Sequence, residues 1–244
     1  MNILFGSLSR RLSGFILLIA AITCQAGSIQ LTPVRISLSA SASVAVLTVS
    51  NTGTEESVMQ VTLNKWTLDG TRYAYAQSQE LIVTPSTFRL APGQQQIIRI
   101  GLRNGPPAMI ESAYRLLVEE VPPPPSADVT QTLLVIRHDV PVFVTPMVAG
   151  KSVLAISVDC ATDGARLRVT NTGNVHALLR NVLLESLPAK ERLANWGTFD
   201  YLLPGAQQSW KLDQVAPTAS GKPFLLTTQT DQGLFTADVQ NTCH

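Results

Sequence analysis

Charged and aromatic side chains are both scarce in this chain. Of its 244 residues, 14% are Asp, Glu, Lys or Arg and 6% are Phe, Trp or Tyr, while 45% are hydrophobic. The one sustained apolar run, residues 15–22, is too short to cross a bilayer, so stable membrane insertion is not expected. No stretch of normal helical length carries an apolar stripe at the helical period, which points away from α and α/β classes. Charge of either sign in excess is missing too. Arg10 and Arg11 are the only charged residues before Gly27, which leaves 16 of the 18 Lys+Arg beside all 17 Asp+Glu. That balance gives no electrostatic footprint for nucleic acid or for an anionic surface.

Catalytic constellations are also lacking. No serine or cysteine sits in a nucleophile motif. His138 and Asp139 are neighbours in a strand pattern and so point to opposite faces, which spoils them as a base and its orienter. Cys243 beside His244 falls short of the ligand count of a metal site. The chain is therefore read as a non-enzyme with no cofactor and no metal.

The first 26 residues read as a signal peptide: basic Arg10-Arg11, the apolar run, then Cys24-Gln25-Ala26 as a small-residue cleavage site. Thr23 is a poor residue ahead of an acylated cysteine, which disfavours a lipoprotein reading of Cys24. Cleavage leaves Cys160 and Cys243, which in an exported chain read as one disulfide, with two buried free thiols as the alternative.

What the chain has in abundance is alternation. Val44, Val46, Thr48 and Ser50 oppose Ala45, Leu47 and Val49, and Asn51-Thr52-Gly53 then turns the chain. Similar runs follow at residues 58–66, 81–84, 88–90, 96–103 and 114–121, punctuated by Asp69-Gly70, Ala91-Pro92-Gly93 and Asn104-Gly105-Pro106-Pro107. Short strands at this spacing predict β-sandwiches. The scheme occurs twice. LTVSNTG at 47–53 returns as LRVTNTG at 167–173, and LAPGQQQ at 90–96 returns as LLPGAQQ at 202–208. Two matches in the same order imply two related domains, 27–147 and 148–244.

Two features point to a partner. In residues 119–146, EEVPPPPSADVTQTLLVIRHDVPVFVTP, four prolines end one sheet segment, and a strand apolar on both faces follows. Its row Thr132, Leu134, Ile136 lacks the charges that normally protect an exposed edge, so we read it as a strand to be lent to another chain. Arg35 is a lone cation in the apolar stretch LTPVRISLSA. It is either a snorkelling surface arginine or an anion site, since a guanidinium can grip a carboxylate with two parallel hydrogen bonds.

LTPVRISLS, then LTVSNTG, then TPSTFRLAPGQQQIIRI, then YRLLVEEVPPPP and a strand ending PVFVTP resembles the periplasmic pilus-assembly chaperones of the chaperone–usher pathway. The PVFV ending and the PPPP loop are similar to the divergent archaic branch, which assembles spore-coat-U-type pili. The resemblance implies an all-β fold of two immunoglobulin-like β-sandwich domains in a boomerang arrangement, located in the periplasm. It implies pilin-like subunits and an outer-membrane usher as partners. Arg35 falls where the family anchors the subunit's carboxylate, and Thr132, Leu134 and Ile136 fall where it has donor residues for the subunit groove. The chain departs from the pattern at Pro141, where other members carry a second anchoring lysine, and at Thr145, where they have an arginine that helps bridge the domains. Arg137 or His138 is then the candidate substitute for the missing cation.

The expected function is a chaperone that stabilises pilin-like subunits by donor-strand complementation and delivers them to an usher. The alternative is a structural or adhesive β-sandwich protein of the cell surface. Two domains with a donor-like strand inside the first argue against that alternative. A carbohydrate-binding module is disfavoured by three tryptophans scattered without an aromatic platform.

Overall fold

The structure, a computed structural model, describes residues 29–69, 71–122, 135–161, 164–212 and 223–239. The expected signal segment, Thr132, Leu134 and Cys243 lie outside the described residues, and Cys160 is described by its backbone alone. The expected disulfide and two of the three donor residues therefore have no counterpart in the geometry below.

Every element among the described residues is a strand. In the first sandwich these are β1 (Ile29–Thr32), β2 (Ile36–Leu38), β3 (Val44–Asn51), β4 (Ser57–Asp69), β5 (Arg72–Gln77), β6 (Leu81–Thr84), β7 (Thr87–Leu90), β8 (Gln95–Leu102), β9 (Ser112–Glu120) and β10 (Arg137–Val144). One sheet runs β1-β3-β8-β6 and the facing sheet β2-β10-β9-β4-β5, with β7 also paired to β4. Alternation puts Leu47 and Val49 of β3 and Ile98 and Ile100 of β8 inward, against Met59, Leu116, Val118 and Val142 of the other sheet; all are buried. The second sandwich holds β11 (Leu154–Ala161), β12 (Gly164–Asn171), β13 (Ala177–Ser186), β14 (Arg192–Leu202), β15 (Gln207–Leu212), β16 (Phe224–Thr230) and β17 (Gly233–Val239). Its sheets are β11-β12-β15 and β14-β13-β16-β17.

The stretch around Arg35, which the sequence presents as one alternating run, is split between sheets. β1 pairs antiparallel with β3, whereas β2 pairs parallel with β10. Pro33 lies at the break, where its ring fixes φ and removes a ladder donor. The switch leaves β10 half covered. On one side β9 accompanies it from Arg137 to Val144, but on the other β2 reaches only Val142, Phe143 and Val144.

The repeated motifs prove to be the same structural device built twice. Asn51 is buried; its Nδ2 donates to the carbonyls of Glu55 and Leu90 at 2.7 and 2.9 Å, and its Oδ1 accepts from the N–H of Gly53 at 2.9 Å. Asn171 repeats this with Val175, Leu202 and Gly173 at 2.8, 2.9 and 3.0 Å. The second motif supplies the matching turn. Gly93 and Gly205, both at positive φ (73° and 81°), donate their N–H groups to the carbonyls of Asn51 and Asn171. Each asparagine thus locks a strand end to the turn of a strand roughly forty residues on or fewer, with its amide fully used. Gly173 admits no other residue, since a Cβ there would stand 2.2 Å from the Lys151 carbonyl oxygen.

Asn171→Ala strands two buried carbonyls and the N–H groups of Gly173 and Val153 together. The expected loss is about 2–4 kcal/mol of second-domain stability, at the cost of a buried polar group left without its partner. Urea unfolding of the variant checks it, and a change within about 0.5 kcal/mol, the range of ordinary surface substitutions, refutes the assignment.

Candidate functional site between the sandwiches

Arg35 lies in the bend between β1 and β2, and the second sandwich comes to meet it. Its Nη1 is 3.7 Å from Oδ2 of Asp231, at the tip of the β16–β17 hairpin. The pair is half-exposed, the guanidinium side chain at 38%. Asp231 also lies 3.3 Å from Nε2 of His176, whose Nδ1 is 2.8 Å from Oε1 of Glu111. That same oxygen accepts from the His176 backbone N–H at 2.9 Å. The Glu111 side chain is 1% exposed and that of His176 11%, so this is a buried chain of charge running from one sandwich to the other. The imidazole stacks on Phe143 of β10, with centroids 3.6 Å apart.

Burial opposes the imidazolium of His176, but the adjacent carboxylates of Asp231 and Glu111 outweigh it and the pKa is raised. Burial likewise works to raise the Asp231 carboxyl, and the neighbouring His176 imidazolium overcomes it, leaving that pKa lowered. Thr145 takes no part in the bridge: its hydroxyl donates to the Leu38 carbonyl at 3.2 Å, within its own domain. The charge that joins the two sandwiches here is carried by His176 of the second sandwich, against Glu111 of the first.

The first-sandwich wall of the cleft holds a second guanidinium that the sequence did not single out. Arg115 of β9 stands directly opposite Pro141 across the ladder. Its guanidinium lies over the Trp66 ring at 3.8 Å, and its Nη1 is 3.5 Å from Asp139. Of the two substitutes named from sequence, His138 lines the groove beside the β1 segment. Arg137 pairs with Glu119, 3.6 Å away across the ladder, and its side chain is 64% exposed. His138 is half-buried, burial lowers its pKa, and its buried Nε2 has no hydrogen-bond partner, so it brings no charge at neutral pH. Ile136, half-buried, shares a face with His138, Val140, Val142 and Val144, the last three in the first-sandwich core.

The scattered aromatics also converge. Trp66, Tyr73 and Tyr75 of the β4–β5 hairpin meet Phe199 and Tyr201 of β14 around a cavity of about 440 Å³, with Arg115 and Pro141 among its walls. Trp66 sits edge-on to Tyr201 at 6.2 Å, and the Tyr73 hydroxyl donates to the Tyr201 carbonyl at 2.6 Å. The aromatic platform that the sequence appeared to lack is assembled by the docking of the two domains.

With this geometry in place, the comparisons with known proteins are informative. The family model for the N-terminal domain of PapD, the pili and flagellar-assembly chaperone, matches residues 28–149. The chain belongs to the pilus-assembly chaperone family. Among solved structures, a chain of the CsuC–CsuE chaperone–tip adhesion subunit pre-assembly complex from archaic Csu pili of Acinetobacter baumannii superposes with a TM-score of 0.66. It shares 21% identity over 88% of this chain and 100% of that one. The YadV chaperone gives 0.62 at 18% identity over 87% and 100%. The Salmonella enterica SafA pilin–SafB chaperone complex gives 0.58 at 21% over 86% and 95%. At these identities the likeness is one of fold, and it covers both sandwiches. Comparison with curated proteins gives no match.

In this chaperone the bridge between sandwiches is titratable. A histidine whose folded pKa is raised contributes stability that is complete below its ordinary value near 6.5 and is lost as pH climbs through the folded value. Asp231, with its pKa lowered, contributes above its ordinary value near 3.8 and loses it as pH falls through the folded one. The melting temperature should therefore be highest in the mildly acidic range and decline towards alkaline pH. His176→Gln should flatten the alkaline decline. Calorimetry of both proteins from pH 5 to 9, the span in which histidine titrates, decides it; parallel profiles would show that His176 does not hold the domains.

Proposed function

We propose that this chaperone holds pilin-like subunits in the periplasm by lending them the open side of β10 and hands them to an outer-membrane usher. The observation that carries the reading is the half-covered strand. From Arg137 to Pro141, β10 has a ladder partner on one side alone among the described residues. Unpaired backbone at a sheet edge accepts a further strand, and a subunit short of one strand supplies it by β-augmentation. Ile136 lies at the start of this open segment, and the expected donor residues Thr132 and Leu134 precede it on the same parity.

Arg35 stands beside that edge and serves as the carboxylate anchor for the subunit's chain end. Its present partner is the chaperone's own Asp231, at a distance and exposure where an ion pair is worth little, about 0–1 kcal/mol. An incoming carboxylate that is desolvated on docking can replace it. Arg115 supplies the second guanidinium in the same cleft, opposite the proline that displaces the family's lysine. Support for export comes from the signal-like first 26 residues, and the usher belongs to the family's pathway rather than to any feature of this geometry.

Co-expression with a pilin-like subunit and periplasmic pull-down tests the reading. Arg35→Ala should weaken capture by about 2–5 kcal/mol, the range for removing one partner of a docked charge pair, with little change in melting temperature. Arg35→Lys should recover part of it, because the bidentate geometry is lost. Ile136→Asp should abolish capture while leaving the chaperone folded. Wild-type capture by both Arg35→Ala and Ile136→Asp would sink strand donation.

A further inference from the structure

We infer that the aromatic box between the sandwiches is a selectivity pocket for the side chain beside the subunit's C-terminal carboxylate, and that it favours aromatic or large apolar residues. The inference rests on the chaperone reading above. Its walls come from both domains: Trp66, Tyr73 and Tyr75 on one side, Phe199 and Tyr201 on the other, with Arg115 over the Trp66 face. Three of these are unusually open for aromatics: Tyr73 at 36%, Tyr75 at 54% and Phe199 at 61% exposed. Exposed aromatic surface concentrated in one cleft, on a chain with so few aromatics, marks an interaction site.

The occupant follows from what borders the box. Val34 and Asp139 line both this cavity and the adjacent groove formed by the β1 segment and His138, so the box is continuous with the proposed donor edge. Val34 precedes the anchor Arg35 and is itself 78% exposed. A strand added along β10 and ending at Arg35 therefore delivers its last side chains to this opening. Arg115 Nε and Trp66 Nε1 are buried in the wall of the cavity without a hydrogen-bond partner within the described chain. The carboxylates of Asp139 and Asp200 also line the cavity and disfavour an acidic side chain in it. An aromatic or leucine-sized side chain fits the volume and buries the open ring faces.

The test uses the complete mature chain, labelled with nitrogen-15, and two synthetic pentapeptides with free carboxylates, Ser-Gly-Thr-Gly-Phe and Ser-Gly-Thr-Gly-Ser. Titration should move the Trp66 indole resonance, with the phenylalanine peptide binding roughly tenfold more tightly, as expected for burying one aromatic ring. The double variant Tyr75→Ser, Phe199→Ser, altered at two exposed positions, should melt like wild type and lose the preference. Equal binding of the two peptides, no movement at Trp66, or a preference that survives the double variant would overturn the inference. Pull-down of a whole subunit separates the two levels. Wild-type capture without peptide preference removes the pocket and keeps the chaperone reading, whereas failure of the wild-type chain to capture any pilin-like subunit removes the chaperone reading itself.

Discussion

A carboxylate with a side chain 1% exposed cannot be left to itself, and Glu111 is such a group. Among the described residues its compensation comes across the domain boundary, from the backbone N–H and the imidazole of His176. That requirement draws the 172–176 loop of the second sandwich onto the segment before β9, where the Glu111 N–H donates to the Asn174 carbonyl and the Asn174 amide to the Met109 carbonyl. With His176 fixed, its ring covers Phe143, and Trp66, Ala113 and Phe143 join the hydrophobic cluster of the second sandwich. A core shared in this way makes relative motion of the domains expensive, unlike the polar interfaces that permit hinge movement. The cleft therefore has fixed walls before any partner arrives. Arg35 meets Asp231, and Phe199 and Tyr201 face the β4–β5 hairpin, only because the bridge sets the angle.

What could be read from the sequence was whatever depends on short-range pattern. Alternation located the strands, and the paired motifs ending at Asn51 and Asn171 announced two copies of one device, because a buried amide with three obligatory partners tolerates little change. Arg35 stood out since charge is rare in its surroundings, and Pro141 only through the family resemblance, as the position where other members carry a lysine. The charge bridge was not legible. Glu111 and His176 lie 65 residues apart, in different domains, and neither carries a local signature. Arg115 was hidden for a related reason: alternation gives the face on which a residue lies but not what faces it across an interface. The aromatic box is the sharpest case, since its members are ordinary strand residues until the docking of the domains brings them together. The split of β1 from β2 was foreshadowed by Pro33, yet period-two alternation continues through it and concealed the change of sheet.

The half-covered β10 shows how the fold keeps a hazardous edge without aggregating. A strand with an open ladder side and an apolar row is a template for self-association. Among the described residues of β10 the open part is the five positions before Val142, one of them a proline with no N–H to offer, and Arg137 and Asp139 put charge on one face of it. Parallel pairing with β2 covers the remainder, and that cover exists because the chain crosses between sheets at Pro33. The crossing that opens one part of the edge thus closes the other, and it carries Arg35 to the junction between them.

That junction explains why the cation is already paired. An arginine facing an empty cleft would be hydrated and mobile, and a partner would have to order it at the cost of side-chain entropy, about 2 kcal/mol for a residue of this length. Contact with Asp231 holds the guanidinium in the cleft, while the 3.7 Å separation and partial exposure keep the contact weak enough to exchange. Asp231 does not become an isolated buried charge when it is released, because His176 remains 3.3 Å away with its pKa raised by that same carboxylate and by Glu111. The bridge between the domains and the proposed anchor for a partner therefore share one carboxylate. Disturbing His176 should reach Arg35 through Asp231, and a carboxylate docked on Arg35 should in turn strengthen the hold of Asp231 on His176, as reciprocal linkage between two sites requires.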